Sequence, residues 1–133
     1  MKLSYRRSIF SGTDLVITSV TIQLASGKPD EIKAAMSECM AKRSAKQPLE
    51  FPSAGSTFKR PEGSYASLLI DQCGLKGYSV GDAMVSMKHA GFLVNTGNSS
   101  ADFKALMEKV QAIVEERAGV HLEPEIRVIG EEA

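Results

Sequence analysis

The sequence predicts an α+β fold, in which a mainly antiparallel or mixed sheet has helices packed on one face. Stretches with the period of a strand and stretches with the period of a helix occur in mixed order along the chain, and no internal repeat organises them. The chain has 133 residues, of which 43% are hydrophobic, and this suffices for one core without disulfide or metal staples. We therefore expect a single domain over residues 1–133.

The first predicted elements are a strand and a helix. Residues 15–24 are β-branched and apolar and alternate in their second half, which is typical of a strand. Pro29 suits the first position of a helix, and Asp30 and Glu31 suit the positive end of its dipole. Apolar residues spaced by three and four predict one buried helical face. That face consists of Ile32, Ala35, Met36, Cys39 and Met40. Pro48 is expected to end the helix.

A loop and a short helix are predicted next. Residues 47–63 contain three prolines and two glycines, so they cannot form a helix. We expect an ordered loop or a very short strand that exposes backbone amides and hydroxyl groups. Residues 65–75 have the composition of a short helix. Its inward-facing residues are predicted to be Leu68, Leu69 and Cys73.

Two strands and a longer helix follow. Residues 83–95 form two strands or one bent strand, because Gly91 interrupts their apolar run. Ser99 and Asp102 have the spacing of a capping box, and the helix that they open is expected to end at Gly119. Its buried face is predicted to consist of Phe103, Leu106, Met107, Val110, Ile113 and Val114.

A strand over residues 122–128 is the last predicted element. Apolar and polar residues alternate there without interruption. The apolar face is expected to carry Leu122, Pro124, Ile126 and Val128. The polar face carries Glu123, Glu125 and Arg127.

Composition excludes several classes of function. The 16 basic and 16 acidic residues cancel, which argues against an electrostatically driven nucleic-acid binder. No apolar run approaches the roughly 20 residues that a membrane helix needs, and no secretion signal is apparent. The sequence lacks both glycine-rich nucleotide-binding motifs. Cys39 and Cys73 are far apart and have no histidine cluster beside them, so we expect reduced thiols, no metal site and a cytoplasmic location.

Three places concentrate polar groups beyond what solubility requires. The first is the loop 53–60, where glycine lets a ligand approach the backbone and hydroxyls exchange protons. The alternative is an ordinary Ser/Gly turn, in which these residue types are common. The second is the pair Glu125 and Arg127, which share one face of the last strand and could equally be a solvated strand face. The third is His89, for which a structural role is the alternative.

Together these segments resemble one known family. Similar motifs occur in the same order and at similar spacing in the C-terminal part of UDP-N-acetylenolpyruvoylglucosamine reductases, the flavoenzymes also called UDP-N-acetylmuramate dehydrogenases. The motifs are 52–61, 74–77, 88–98 and 122–130. The segment Tyr5-Arg6-Arg7-Ser8-Ile9-Phe10 is also similar to the one with which the family leaves its flavin-binding part. The resemblance therefore covers nearly the whole chain.

The resemblance implies an activity in bacterial peptidoglycan precursor synthesis, and so in cell-wall biogenesis. Such enzymes use NADPH and bound FAD to reduce UDP-N-acetylglucosamine enolpyruvate to UDP-N-acetylmuramate. The family's proton-donating serine falls on Ser56, and its glutamate falls on Glu125. The candidate substrate-binding residues are Lys59 and Arg60, which suit a diphosphate, His89, and Arg127, which suits a carboxylate or phosphate. Arg6 is the candidate contact to the flavin.

The flavin-binding lobes of the family have no counterpart in this sequence. Residues 1–26 are expected to lead from those lobes, which would be partners of this domain, and the chain alone is expected to bind FAD weakly and to be inactive. Two alternatives stay open. One is a stand-alone module that binds a UDP-sugar without catalysis. The other is a general α+β interaction domain, which requires that the loop 53–60 and the last strand face away from each other.

Overall fold

The computed structural model describes residues 1–130, and within them it contains three helices and four strands. In chain order these elements are α1 (Pro29–Lys46), β1 (Ser53–Ser56), α2 (Ala66–Gln72), β2 (Ser79–Val80), β3 (Ala83–Val85), β4 (Phe92–Asn95) and α3 (Ser100–Ala118). The strands pair antiparallel in one sheet, in the order β1, β4, β3, β2. The predicted α+β class is confirmed. The two-residue strand β2 was not predicted.

Residues Met1–Lys33 form a compact unit by themselves. In this unit Ser4 and Arg7 exchange two backbone hydrogen bonds of 3.0 and 3.2 Å. The prediction of a strand over 15–24 is wrong, and the apolar side chains there are exposed, Val16 by 84% and Leu24 by 82%. A strand is stabilised by hydrogen bonds to a neighbouring strand. The N-terminal unit contains no second strand to provide them.

Helix α1 begins at Pro29 and ends at Lys46, as predicted from its two prolines. The prediction that one of its faces is buried is wrong, because no residue of α1 is buried. Met36, for example, is 66% exposed. Apolar periodicity identifies a stripe on a helix, but burial requires a second element that covers the stripe.

The hydrophobic core lies in the part of the chain that begins at Ala34, where α3 packs against the sheet and α2 packs against α3. The predicted face of α3 is confirmed: Leu106, Met107, Val110 and Val114 are buried, and Phe103 and Ile113 are partly buried. Leu69 in α2 and Cys73 at its C-terminal cap are buried as predicted, but Leu68 is exposed and Ile70 is buried instead. Leu69, Ile70 and Cys73 share one side of the helix, since a turn has 3.6 residues.

Local hydrogen bonds define both ends of α3. The Ser99 hydroxyl accepts the Ala101 N–H at 3.1 Å, and Gly119 adopts a left-handed conformation with φ 66°. Asp102 does not complete the predicted capping box. Its carboxylate instead accepts the Asp82 N–H at 3.0 Å and so connects α3 to the turn between β2 and β3.

The prediction of a strand over residues 122–128 is wrong. Pairing there is limited to one antiparallel bridge between Phe58 and Pro124. Two backbone hydrogen bonds of 2.8 Å flank this bridge, from Lys59 N–H to the Glu123 carbonyl and from Glu125 N–H to the Thr57 carbonyl. Phe58 and Pro124 thus form a non-hydrogen-bonded pair, a position at which the missing N–H of proline costs the pairing no bond. Leu122 still reaches the core.

Candidate functional site

A β-bulge in β1 determines how Ser56 is presented. Ser53 faces Val94 and Ser56 faces Phe92 on β4, so the register shifts by one residue between the two pairs. Gly55, inside the shifted stretch, has φ 84°, which lies in the left-handed region. A bulge of this kind redirects the side chains that follow it, and bulges are frequent beside active sites. The predicted very short strand in this loop is confirmed, and the bulge places Ser56 at its exposed end.

Replacement of Gly55 by alanine tests this conformation. We expect the free energy of unfolding to fall by about 1–2 kcal/mol, the cost of a left-handed conformation for an L-residue. Steric contact adds nothing, because an added Cβ would meet no atom within 4 Å. Urea denaturation measures the change. Gly55→Asn is the matched control and should lose less, since asparagine tolerates this region. Wild-type stability in Gly55→Ala would contradict the assignment.

A cleft of about 430 Å³ opens beside Ser56. It is lined by Arg43, Gln47, Pro48, Leu49, Phe51, Ser53, Gly55, Ser56 and Phe92. Arg43 was missed by the sequence analysis, because a basic residue in the last turn of a helix is usually explained by the helix dipole. Its Nε donates to Oε1 of Gln47 at 3.0 Å. The cleft therefore combines two hydroxyls, a cation and two aromatic rings.

Thr57 joins the two segments that the sequence singled out. Its side chain is fully buried, and its N–H donates to the Gly91 carbonyl at 2.9 Å. Its hydroxyl accepts the Leu93 N–H at 3.3 Å, and its carbonyl accepts the Glu125 N–H at 2.8 Å. Thr57 thereby fixes the backbone next to Ser56 and the backbone of Glu125 at the same time. The loop 53–60 and the segment that carries Glu125 are neighbours in the fold.

Lys59 and Arg60 follow Ser56 and Thr57 along the chain, and both have partners. The Lys59 ammonium forms an ion pair with the Glu123 carboxylate. The Arg60 guanidinium lies 4.1 Å from the centre of the Tyr65 ring, within the range of a cation–π interaction. Both residues line a second cleft, outside the one beside Ser56, together with His121 and Glu123. An anion bound there by Lys59 would compete with Glu123.

His89 lies in a third cleft, of about 340 Å³, which also contains Asp71, Lys76 and Lys88. Lys76 pairs with Asp71 at 2.8 Å, and Lys88 lies 3.4 Å from the carboxylate of Glu50. A backbone hydrogen bond, and secondarily Lys88, lowers the pKa of the Glu50 carboxyl.

The imidazole of His89 is held by two contacts. Its Nδ1 accepts the Gly91 N–H at 3.1 Å, and its ring meets the edge of Phe92 with 5.0 Å between centres. Phe92 also lines the cleft beside Ser56, whereas His89 does not.

The remaining candidate residues are more scattered. Glu125 is half-buried, whereas Arg127, which was expected to share a strand face with it, is exposed. Arg6 belongs to the N-terminal unit, where its guanidinium lies 5.4 Å from the centre of the Tyr5 ring. Within residues 1–130, no helix is long and apolar enough to cross a membrane.

Comparison with known proteins gives one consistent result. Residues 47–129 match the family model described as UDP-N-acetylenolpyruvoylglucosamine reductase, C-terminal domain. The chain is 51% identical over 132 residues to a UDP-N-acetylenolpyruvoylglucosamine reductase of Caldanaerobacter subterraneus subsp. tengcongensis, covering 98% of this chain and 44% of that protein. It is 53% identical over 132 residues to the reductase of Agathobacter rectalis, covering 98% of this chain and 42% of that protein.

A solved structure agrees. The crystal structure of UDP-N-acetylenolpyruvylglucosamine reductase from Thermus caldophilus matches with a TM-score of 0.60 and 38% identity, over 77% of this chain and 37% of that one. The chain thus spans less than half the length of the curated relatives that it matches.

Proposed function

Because the chain belongs to the UDP-N-acetylenolpyruvoylglucosamine reductase family, as its C-terminal domain, we propose that it is the substrate-binding and proton-donating part of such a reductase. The substrate would be UDP-N-acetylglucosamine enolpyruvate, and the reaction would serve peptidoglycan precursor synthesis in the cytoplasm. One observation carries this proposal. The bulge at Gly55 presents Ser56 beside a cleft, and Thr57 attaches the segment of Glu125 directly next to it.

The proposed chemistry reduces the carbon–carbon double bond of the enolpyruvyl ether to a lactyl ether. The methylene carbon receives a hydride, and the neighbouring carbon receives a proton from the Ser56 hydroxyl. A serine hydroxyl is a weak acid, so it donates efficiently only to a carbanion that develops close by. Glu125 supports this proton transfer or helps to stabilise the enolate-like carboxylate. Nearby cationic side chains stabilise the negative charge of the substrate. Solvent finally returns a proton to Ser56.

The described residues do not form a site for FAD. Arg6, the candidate contact, belongs to the N-terminal unit, and one exposed arginine does not make a dinucleotide cradle. In the complete reductase, FAD would supply the hydride with NADPH as the reductant, and both would be bound mainly by flavin-binding lobes outside this chain. We therefore expect this chain alone to be inactive.

A chimeric enzyme tests the proposal. The chain replaces the matching C-terminal part of the Caldanaerobacter reductase, with which it shares 51% identity. Substrate-dependent oxidation of NADPH by the purified chimera would support the proposal. A chimera that holds FAD and consumes no NADPH with substrate would contradict it. If calorimetry then showed binding of the enolpyruvyl substrate to the chain itself, the alternative of a non-catalytic UDP-sugar module would replace it.

A further inference from the structure

Thr57 and Gly91 share one backbone hydrogen bond where a regular antiparallel pair would share two. In a regular antiparallel sheet, two residues at a hydrogen-bonded position exchange two N–H···O bonds. Thr57 and Gly91 make one of these bonds, from the Thr57 N–H to the Gly91 carbonyl at 2.9 Å. The reciprocal bond is missing, because the Gly91 N–H donates to Nδ1 of His89 at 3.1 Å.

Because Gly91 does not donate to it, the Thr57 carbonyl is available to the backbone of Glu125. The Thr57 carbonyl accepts the Glu125 N–H at 2.8 Å. Thr57 and Gly91 are both buried, so an N–H left without an acceptor there would be costly. Without an acceptor on His89, the Gly91 N–H would turn to the Thr57 carbonyl and compete with Glu125.

His89 is well placed to provide this acceptor. The Ser86 hydroxyl accepts the N–H groups of Lys88 and His89, at 3.2 and 3.4 Å, and so shapes the loop between β3 and β4. The edge-to-face contact with Phe92, with 74° between the ring planes, orients the imidazole. The ring therefore meets the Gly91 N–H in a loop that is already fixed on both sides.

We infer that His89 is a positioning residue for Glu125, which acts through Gly91 and Thr57, and that it is not a substrate contact. This inference rests on the proposed function of Glu125. Its structural part, the dependence of the Glu125 hydrogen bond on His89, does not.

Amide hydrogen exchange of the 133-residue chain, followed by NMR, tests the structural part. His89→Leu removes the acceptor, and we expect the exchange of the Glu125 amide to accelerate roughly 5- to 10-fold, the worth of one hydrogen bond. His89→Asn places an acceptor oxygen near the position of Nδ1 and should restore slow exchange. His89→Gln carries its amide one bond further and should resemble His89→Leu. The control is His121→Leu, which removes the other histidine and should leave Glu125 unchanged.

Unchanged exchange at Glu125 in both His89→Leu and His89→Gln would overturn the inference. If His89→Leu does not fold, the difference between His89→Asn and His89→Gln decides the question in the same way. Equal exchange at Glu125 in that pair would then overturn it.

Steady-state kinetics of the chimeric reductase test the functional part. A residue that only positions Glu125 should affect kcat, so we expect His89→Leu to lower kcat roughly 10-fold with little change in KM, and His89→Asn to recover most of it. A raised KM with an unchanged kcat would identify His89 as a substrate contact and overturn the inference. Failure of the proposed function would instead appear as inactivity of the unsubstituted chimera, whatever the exchange data show.

Discussion

Replacement of Ser56 by alanine is expected to slow the reoxidation of flavin by the enolpyruvyl substrate by at least roughly 10²-fold, the usual contribution of a positioned general acid. The hydroxyl is the only group that this substitution removes. Because Ser56 is exposed at the end of β1, we expect no change in folding. Stopped-flow absorbance of the chimeric reductase, first reduced with NADPH and then mixed with substrate, measures the rate.

The neighbouring serine provides a matched control for this experiment. Ser53 lies on the same strand and lines the same cleft, on the other side of the bulge at Gly55. Ser53→Ala should therefore reoxidise flavin at close to the wild-type rate. The reduction of flavin by NADPH should be normal in both variants, since neither hydroxyl is proposed to act in that step. Near-normal reoxidation in Ser56→Ala would refute its role as proton donor.

Replacement of Glu125 by glutamine should produce a loss of similar size, again at least roughly 10²-fold in the same half-reaction. Glutamine preserves the shape of the side chain and the backbone N–H that donates to Thr57, so the segment should stay in place. What is lost is the negative charge and the ability to exchange a proton. The amide exchange of residue 125 shows whether the segment has moved, and the reoxidation rate shows whether chemistry is impaired.

Two further variants show whether a loss of activity in Glu125→Gln comes from the carboxyl group at this position. Glu125→Asp retains the carboxylate on a shorter side chain, and partial recovery would show that the carboxyl group itself is required. Glu108→Gln, on the exposed side of α3, removes the same charge elsewhere and should not alter the rate. Full activity of Glu125→Gln would refute the proposed role and leave Ser56 as the only catalytic candidate of this chain.

Helix α3 shows what could be predicted from the sequence. Its cap at Ser99, its end at Gly119 and its apolar face depend on residues that are close together in the chain. Hydrogen bonds within one turn and a 3.6-residue period are local properties, so the pattern of residues carries them directly. The start and end of α1 were predictable for the same reason, because proline constrains its own backbone.

Strands are different, because their hydrogen bonds go to partners that are distant in sequence. Residues 15–24 and 122–128 have the composition of strands, but the first remains unpaired within the N-terminal unit and the second makes a single bridge. The residues of the candidate site likewise fall into those that the sequence identified and those that it did not. Ser56 and Glu125 were identified from the resemblance of their motifs to those of the reductase family, whereas Arg43 was not, since nothing near it in sequence indicates a cleft.

By itself, then, the sequence determined the α+β class, the ends of α1 and α3, and the residue types from which a site is built. Only the tertiary structure decided how Ser56 is turned by the bulge, that Lys59 is paired with Glu123, and that Thr57 holds Glu125. The reason is physical: local conformation depends on neighbours along the chain, whereas each of these contacts joins segments that are far apart in the sequence and meet only in the folded structure.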